Sequence, residues 1–83
     1  MEEIEEPRRS AVAIATQIVQ GEIAPYDGGE TLVRMQRELE GLSEGLFPFI
    51  GPVSECERLP EHRAEYERQI VVLADRFRAR FGT

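Results

Sequence analysis

Residues 60–81 read PEHRAEYERQIVVLADRFRARF and predict the longest helix of the chain. Apolar side chains recur there at spacings of four, three, four and four residues: Tyr66, Ile70, Leu73, Phe77 and Phe81. At about 100° per residue they cover roughly 80° of a helix surface, the narrow stripe that a helix buries against its neighbours. Pro60 suits the first turn of this helix, and Gly82 is typical of its end.

Two earlier segments predict further helices. The first runs from about Arg8 to Gln20, with Pro7 in its first turn and Gly21 as its cap. Its apolar side chains cover about 160° of the surface, so we expect it to be the central helix of a bundle. They are Ala11, Val12, Ile14, Ala15, Ile18 and Val19. The second helix is predicted over about residues 28–41, with a narrower apolar seam.

An apolar segment, residues 45–53, separates the second helix from the last one. Ser43 could cap one short helical turn through Phe47. Pro48, Gly51 and Pro52 prevent a long helix and predict irregular backbone for the apolar residues of the segment, because proline and glycine interrupt a helix. Residues 54–57 have the pattern of a capping box, which predicts one short helical turn after the segment. No run alternates apolar and polar residues over the length of a strand. The predicted fold class is all-α: a small three- to four-helix bundle with short helical turns before a long C-terminal helix.

Composition limits the classes of function. The 83 residues form one predicted domain, residues 1–83, with a frayed acidic N-terminus expected over residues 1–7. The net charge of −6 opposes a phosphate backbone, so we expect no nucleic-acid partner. The acidic start differs from a signal peptide, and no apolar run approaches the roughly 20 residues that span a bilayer. We therefore expect a cytoplasmic protein without a membrane partner. The use of Arg without Lys or Asn indicates a GC-rich genome.

Few residues could build a catalytic centre, because the chain contains one His and one Cys. Cys56 and His62 form the only pair that suggests nucleophilic catalysis, yet no Asn or second His is present to orient the base. We expect Cys56 to pack instead as a small apolar residue. The Gly28–Gly29 pair lacks the pattern of a phosphate loop and is flanked by acids. The predictions are no enzyme activity, no catalytic residue and no cofactor.

The acidic residues predict a solvated surface rather than a metal site. Zinc sites need three or four ligands, which one His and one Cys supply poorly. Glu38, Glu40 and Glu44, or Glu55 and Glu57, could hold a hard cation, but no ligand loop with a glycine turn is present. We therefore expect no bound metal.

Several short motifs occur in a recognisable order. IVQGEIAP at 18–25 precedes a Gly pair, and REL at 37–39, Ser54–Glu55 and Leu59–Pro60 follow before the long charged helix. This order resembles a group of small uncharacterised bacterial helical proteins, which implies an all-α bacterial domain of unknown function. In shape and charge, but not in sequence, the chain is also similar to colicin-type immunity proteins. Their Tyr-Tyr-Pro motif is absent here, where the comparable residues 47–49 are Phe-Pro-Phe.

Two features are candidates for binding. Val71 and Val72 lie off the apolar stripe of the last helix, so at least one of them is expected to face a partner or the inserted turns. Segment 45–53 and the acids after it combine aromatic and carboxylate groups, as protein-binding patches do. The alternative is that this segment only covers the helical core.

These features predict a protein–protein interaction module. Its expected contact residues are Phe49, Ile50, Ser54, Glu55, Glu57 and Val72. The acidic chain favours a basic protein partner. The most specific version is an immunity- or antitoxin-like protein that masks a basic site, with Glu55 and Glu57 as mimics of phosphate. The alternatives are a structural homodimer without enzymatic activity and a small metal-dependent hydrolase that uses Glu55, Glu57 and His62.

Overall fold

A computed structural model describes residues 2–38 and 43–82, with side chains described over 9–38 and 45–82. These residues form helices α1 (Glu2–Gln20), α2 (Pro25–Glu38), α3 (Ser43–Leu46), α4 (Ile50–Arg58) and α5 (Arg63–Phe81). Two 3-10 turns, Phe47–Phe49 and Pro60–His62, precede α4 and α5. The described ranges contain no strand, and α3 is a single turn among four longer helices. The predicted all-α fold class is confirmed, with a long C-terminal helical stretch that begins at Pro60 in the 3-10 turn and continues through α5.

The core is built mainly by α1 and α5, which pack along each other, while α2 and α4 close it from the other sides. Its buried residues are Ala11, Ala15, Ile18, Leu32, Val33, Leu46, Phe49, Val53, Cys56, Ile70, Ala74 and Phe77. The predicted stripe of α5 divides into two groups. Ile70 and Phe77 are fully inside, and Tyr66, Leu73 and Phe81 pack against the edge of the core. The narrow stripe therefore identifies the buried face of α5.

Gly21 ends α1 as predicted. Its φ of 76° lies in the left-handed region, where a residue with a Cβ is strained. The Gly21 N–H donates to the Ile18 carbonyl at 3.2 Å, and the Glu22 N–H donates to the Gln17 carbonyl at 2.9 Å. These two bonds form a Schellman motif, which satisfies carbonyls that the helix end leaves free.

The Gly28–Gly29 pair lies inside α2 and is buried. A methyl group added at Gly28 would lie 2.5 Å from Ile18 Cγ1, and one added at Gly29 would lie 2.8 Å from Val53 Cγ2. The pair therefore lets α2 approach both α1 and α4 closely. It is not an exposed turn that could receive a phosphate.

The first two helices begin earlier than predicted. α1 begins at Glu2 rather than near Arg8, so the predicted frayed segment is helical from its second residue. α2 begins at Pro25 rather than Gly28, because the fixed φ of proline suits the first helical position. The Gly28 N–H already donates to the Ala24 carbonyl at 3.0 Å. The predicted end of the second helix, at residue 41, lies outside the described residues.

The short turn predicted from Ser43 is observed as α3, but the prediction of irregular backbone for the apolar residues of segment 45–53 is wrong. The chain continues from α3 through a 3-10 turn into α4, which places Gly51 and Pro52 in the first turn of α4. N–H groups of a first turn have no partner within the helix, so Pro52 forfeits no hydrogen bond there. The predicted capping box at residues 54–57 lies inside α4 and starts no separate turn. The predicted break at Leu59–Pro60 is confirmed, since α4 ends at Arg58.

Candidate functional site

The structure separates the six residues predicted to contact a partner. Phe49 is only 1% exposed, and its ring packs edge-on against Phe77 with centroids 6.4 Å apart. The expectation that Phe49 contacts a partner does not fit this position, because the ring would have to leave the core. Ile50 is half-buried and packs against the same core. Phe49 and Ile50 of segment 45–53 thus cover the helical core.

The polar members of the predicted set lie on α4. Ser54 is exposed. Glu55 forms an ion pair with Arg58, with Oε1 and Nη2 2.9 Å apart. Glu57 accepts a hydrogen bond from the Tyr26 hydroxyl. Both carboxylates are therefore engaged within the chain.

Tyr26 is the centre of a group of charged residues that we call the Tyr26 cluster: Tyr26, Glu30, Glu57, Arg63 and Glu67. The Tyr26 hydroxyl lies 3.2 Å from Glu30 Oε2 as well as beside Glu57, and the Tyr26 N–H donates to Glu67 Oε2 at 3.2 Å. The Arg63 guanidinium lies 4.9 Å from the centroid of the Tyr26 ring and 3.6 Å from Glu67 Oε2. The cluster joins α2 to α4 and α5.

The carboxylates of the cluster change the acidity of the phenol. The hydrogen bond to Glu57 raises the pKa of Tyr26 well above its ordinary value, and burial and the negative charge of Glu30 raise it further. The phenol therefore remains a proton donor. No group of three or more His, Cys, Asp or Glu side chains in the described part of the chain is arranged to hold a metal ion. Of the acids considered for a cation, Glu40 and the Glu44 side chain lie outside that part.

Cys56 is buried and its thiol contacts the carbonyl of Arg63, with Sγ and O 3.9 Å apart. Burial raises the pKa of the Cys56 thiol, the negative charge of Glu67 raises it further, and Arg63 opposes them. His62 is exposed in the 3-10 turn before α5. A neutral, buried thiol is a poor nucleophile, which supports the interpretation of Cys56 as a packing residue.

A groove runs along the side of α5 that faces away from the Tyr26 cluster. It has a volume of about 650 Å³. We call it the α5 groove and define it by Pro48 and Pro52 on one wall and by Glu65, Arg68, Val72, Leu73 and Arg76 on α5. A smaller pocket of about 210 Å³ shares Pro48, Leu73 and Arg76 and extends to Arg80. The two form one continuous depression.

The α5 groove contains one residue of the predicted set, Val72, which is 49% exposed. Among the described residues the other large exposed apolar side chain is Phe47, at 64%, and it directly precedes Pro48 of the groove wall. The exposure of Phe47 was not predictable from the sequence, because a segment predicted to have irregular backbone has no periodicity that distinguishes a buried aromatic residue from an exposed one.

Two arginines of the groove were also missed. Arg68 and Arg76 form no ion pair with any side chain that the structure describes, whereas Arg34, Arg58, Arg63 and Arg78 each lie within 4.0 Å of a carboxylate oxygen. Arg68 and Arg76 lie four residues before and four residues after Val72, and this spacing was the signal available in the sequence.

Comparisons with known proteins add no assignment. A scan against protein-family models, a search of curated proteins and a search of solved structures each found no match. The resemblance to small bacterial helical proteins therefore stays a prediction. Among the described residues, none of the helices combines the length and the apolar character needed to cross a membrane.

Proposed function

We propose that this protein is a protein–protein interaction module and that the α5 groove is its contact surface. The observation that carries the proposal is the 49% exposure of Val72 on the wall of a groove of about 650 Å³. A domain of 83 residues buries only about 60% of its unfolded surface, so its stability depends strongly on each apolar side chain that it buries. A valine that is exposed on a groove wall adds little apolar area to the core, but it can add apolar area to a contact with a partner.

The composition of the groove suits a protein contact. Pro48 and Pro52 are rigid, so little conformational entropy is lost when a partner packs against that wall. Val72 and Leu73 supply apolar area at its centre, and Arg68 and Arg76 supply the residue type that interfaces favour beside such a centre. An apolar centre with a charged rim is the usual anatomy of an interface.

The acidic surface of α4 is less suited to this function than the sequence indicated. A basic partner that bound Glu55 and Glu57 would compete with Arg58 and the Tyr26 hydroxyl for the carboxylate oxygens. The gain from the new ion pairs would be reduced, because the existing contacts already neutralise or hydrogen-bond part of each carboxylate. The geometry therefore favours the groove over the immunity-like mode in which these two glutamates mimic phosphate.

The proposal is tested by affinity capture from a lysate of the source organism with three baits: wild type, Val72→Gln and Ala13→Gln. Ala13 is exposed on α1, away from the groove, and so provides the same change of polarity elsewhere. A captured protein is identified by mass spectrometry, purified and titrated calorimetrically against the three baits. We expect Val72→Gln to weaken binding about tenfold, since truncating a central contact typically costs more than 1 kcal/mol.

Ala13→Gln is expected to bind like wild type. Equal retention by all three baits would contradict the proposal, as would a partner that is lost with Glu57→Gln and kept with Val72→Gln. Circular dichroism of each bait checks that its helices are intact.

A further inference from the structure

We infer that the segment that fills the α5 groove is an acidic peptide segment of another protein, with a carboxylate on each side of a central apolar residue. This inference rests on the proposed function and specifies the partner. The inferred partner segment is negatively charged, whereas the net charge of the chain predicts a basic partner.

The arrangement of Arg68, Val72 and Arg76 defines the ligand. Each arginine is four residues from Val72, so the three side chains lie within about 80° on one face of α5. The two arginines are separated by about 12 Å along the helix axis, at a rise of about 1.5 Å per residue. A ligand that meets all three carries an apolar residue between two anions, as a helical segment with acids four residues before and after a leucine would.

The charges of the groove are unbalanced. Arg68 and Arg76 have no carboxylate partner among the described side chains, and Glu65 is the acidic residue that lines the groove with them. The adjoining pocket adds Arg80. The depression is therefore positive on a chain with a net charge of −6. A carboxylate that enters it can form charge-assisted, bidentate hydrogen bonds with a guanidinium.

A second copy of the chain fits this surface poorly. In a two-fold symmetric, antiparallel pairing of α5 about Val72, each Arg68 would face Arg76 of the other copy. Four arginines would then meet across the apolar contact, and like charges held in register oppose association. The charge pattern therefore acts against self-association through this face.

A nucleic acid is also disfavoured. Its extended phosphate backbone would meet the acidic remainder of the chain as well as the groove. A short peptide segment places its carboxylates only where the arginines lie. This difference selects the acidic peptide over a polyanion.

The test is a selection from a phage-displayed library of random dodecapeptides on the immobilised full chain. Enriched peptides are synthesised, and their affinities are measured by fluorescence anisotropy. We expect the enriched sequences to carry Asp or Glu on both sides of an aliphatic or aromatic residue. The double variant Arg68→Gln/Arg76→Gln and the variant Val72→Gln should each weaken binding by at least about tenfold. Added salt should weaken it as well, because the charge attraction is screened.

The matched control is Arg34→Gln/Arg58→Gln, which removes the same amount of charge from arginines outside the groove. This control should bind the selected peptides with wild-type affinity. If the peptides are lost with Val72→Gln but lack acids or ignore the groove arginines, the acidic partner is refuted and the proposed function stands. If no peptide is enriched, or none responds to Val72→Gln, both fail. A wild-type dimer in light scattering that Val72→Gln dissociates would identify a second copy as the occupant and overturn the inference.

Discussion

The two sides of α5 differ in whether their charged side chains have partners within the chain. On the side of the Tyr26 cluster, Arg63 and Glu67 contact each other and Tyr26. On the groove side, about 180° around the helix from Glu67, Arg76 lies without an ion-pair partner among the described side chains. One side of the helix is fastened to its own chain. The other is free to contact a different molecule.

This difference suggests a division of labour within a small domain. The interactions of the Tyr26 cluster link three helices across sequence separations of 31 and 41 residues, so they contribute to the fold. The side chains that line the groove form no such hydrogen bond or ion pair between helices among the described residues. Changes on the fastened side should therefore lower stability, and changes in the groove should leave stability unaltered while affecting binding.

The largest effect on stability is expected for the two phenylalanines of segment 45–53, of which Phe49 is buried and Phe47 is exposed. Phe49→Ala should lower the free energy of unfolding by about 3–5 kcal/mol, because it leaves a cavity beside Phe77. Phe47→Ala, two residues earlier and 64% exposed, should change it by less than about 0.5 kcal/mol. Urea unfolding followed by circular dichroism measures both. Equal losses would contradict the assignment of the two rings to opposite faces.

The second effect concerns the close approach of α2. Gly28→Ala and Gly29→Ala should each lower the free energy of unfolding by about 1–3 kcal/mol, because the added methyl groups collide with Ile18 or Val53. Gly51→Ala is the control, since a methyl group at that position would meet no packed neighbour within 4 Å. It should be neutral or stabilising by up to about 1 kcal/mol through its gain in helix propensity. Stabilisation by all three substitutions would show that the helices are not in contact at the pair.

A smaller effect is expected in the Tyr26 cluster. Tyr26→Phe should lower the melting temperature, since it removes the hydrogen bond between α2 and α4. The raised pKa of Tyr26 means that the folded protein keeps the phenol proton to higher pH than the unfolded chain. This contribution is complete below the unfolded pKa of about 10 and falls as pH rises above that value.

The alkaline decrease in melting temperature should therefore be shallower for Tyr26→Phe than for wild type. Tyr66→Phe removes the other tyrosine of the chain and should leave the effect of Tyr26 in place. Identical alkaline profiles for wild type and Tyr26→Phe would contradict the role given to the phenol.

The smallest effect is the difference in stability between a variant of two ion-paired arginines and a variant of the two groove arginines. Arg34→Gln/Arg58→Gln breaks two surface ion pairs and should cost about 0.6–1 kcal/mol of stability. Arg68→Gln/Arg76→Gln makes the same change of charge and should leave stability within about 0.5 kcal/mol of wild type. Chemical unfolding at low salt resolves the difference best. A larger loss for the groove pair would mean that those arginines serve the fold.

Much of the fold was predictable because it is encoded locally. The stripe of α5, the cap at Gly21 and the break at Leu59–Pro60 each depend on residues a few positions apart. The helical path of residues 45–53 was not predicted, because the rule that proline interrupts a helix was applied to Pro48 and Pro52. Pro52 lies in a first turn, where that rule does not apply.

The candidate site was less predictable, because its parts are distant in sequence. Val72 was expected to lie off the stripe, but the opposite wall comes from Pro48 and Pro52 and depends on the path of the chain. Likewise, no local pattern indicated that Glu57 would meet Tyr26. The net charge favoured a basic partner because it averages over the whole surface. The groove has the opposite sign.

The most direct test of the division between the two sides is a nitrogen-15 NMR titration of the full chain with a peptide selected on it. The amide signals of Arg68, Val72 and Arg76 should shift most, and those of Tyr26 and Glu57 should stay in place. Shifts concentrated at Tyr26 and Glu57, with the signals of the groove unchanged, would show that the fastened side is the binding side and would contradict the account.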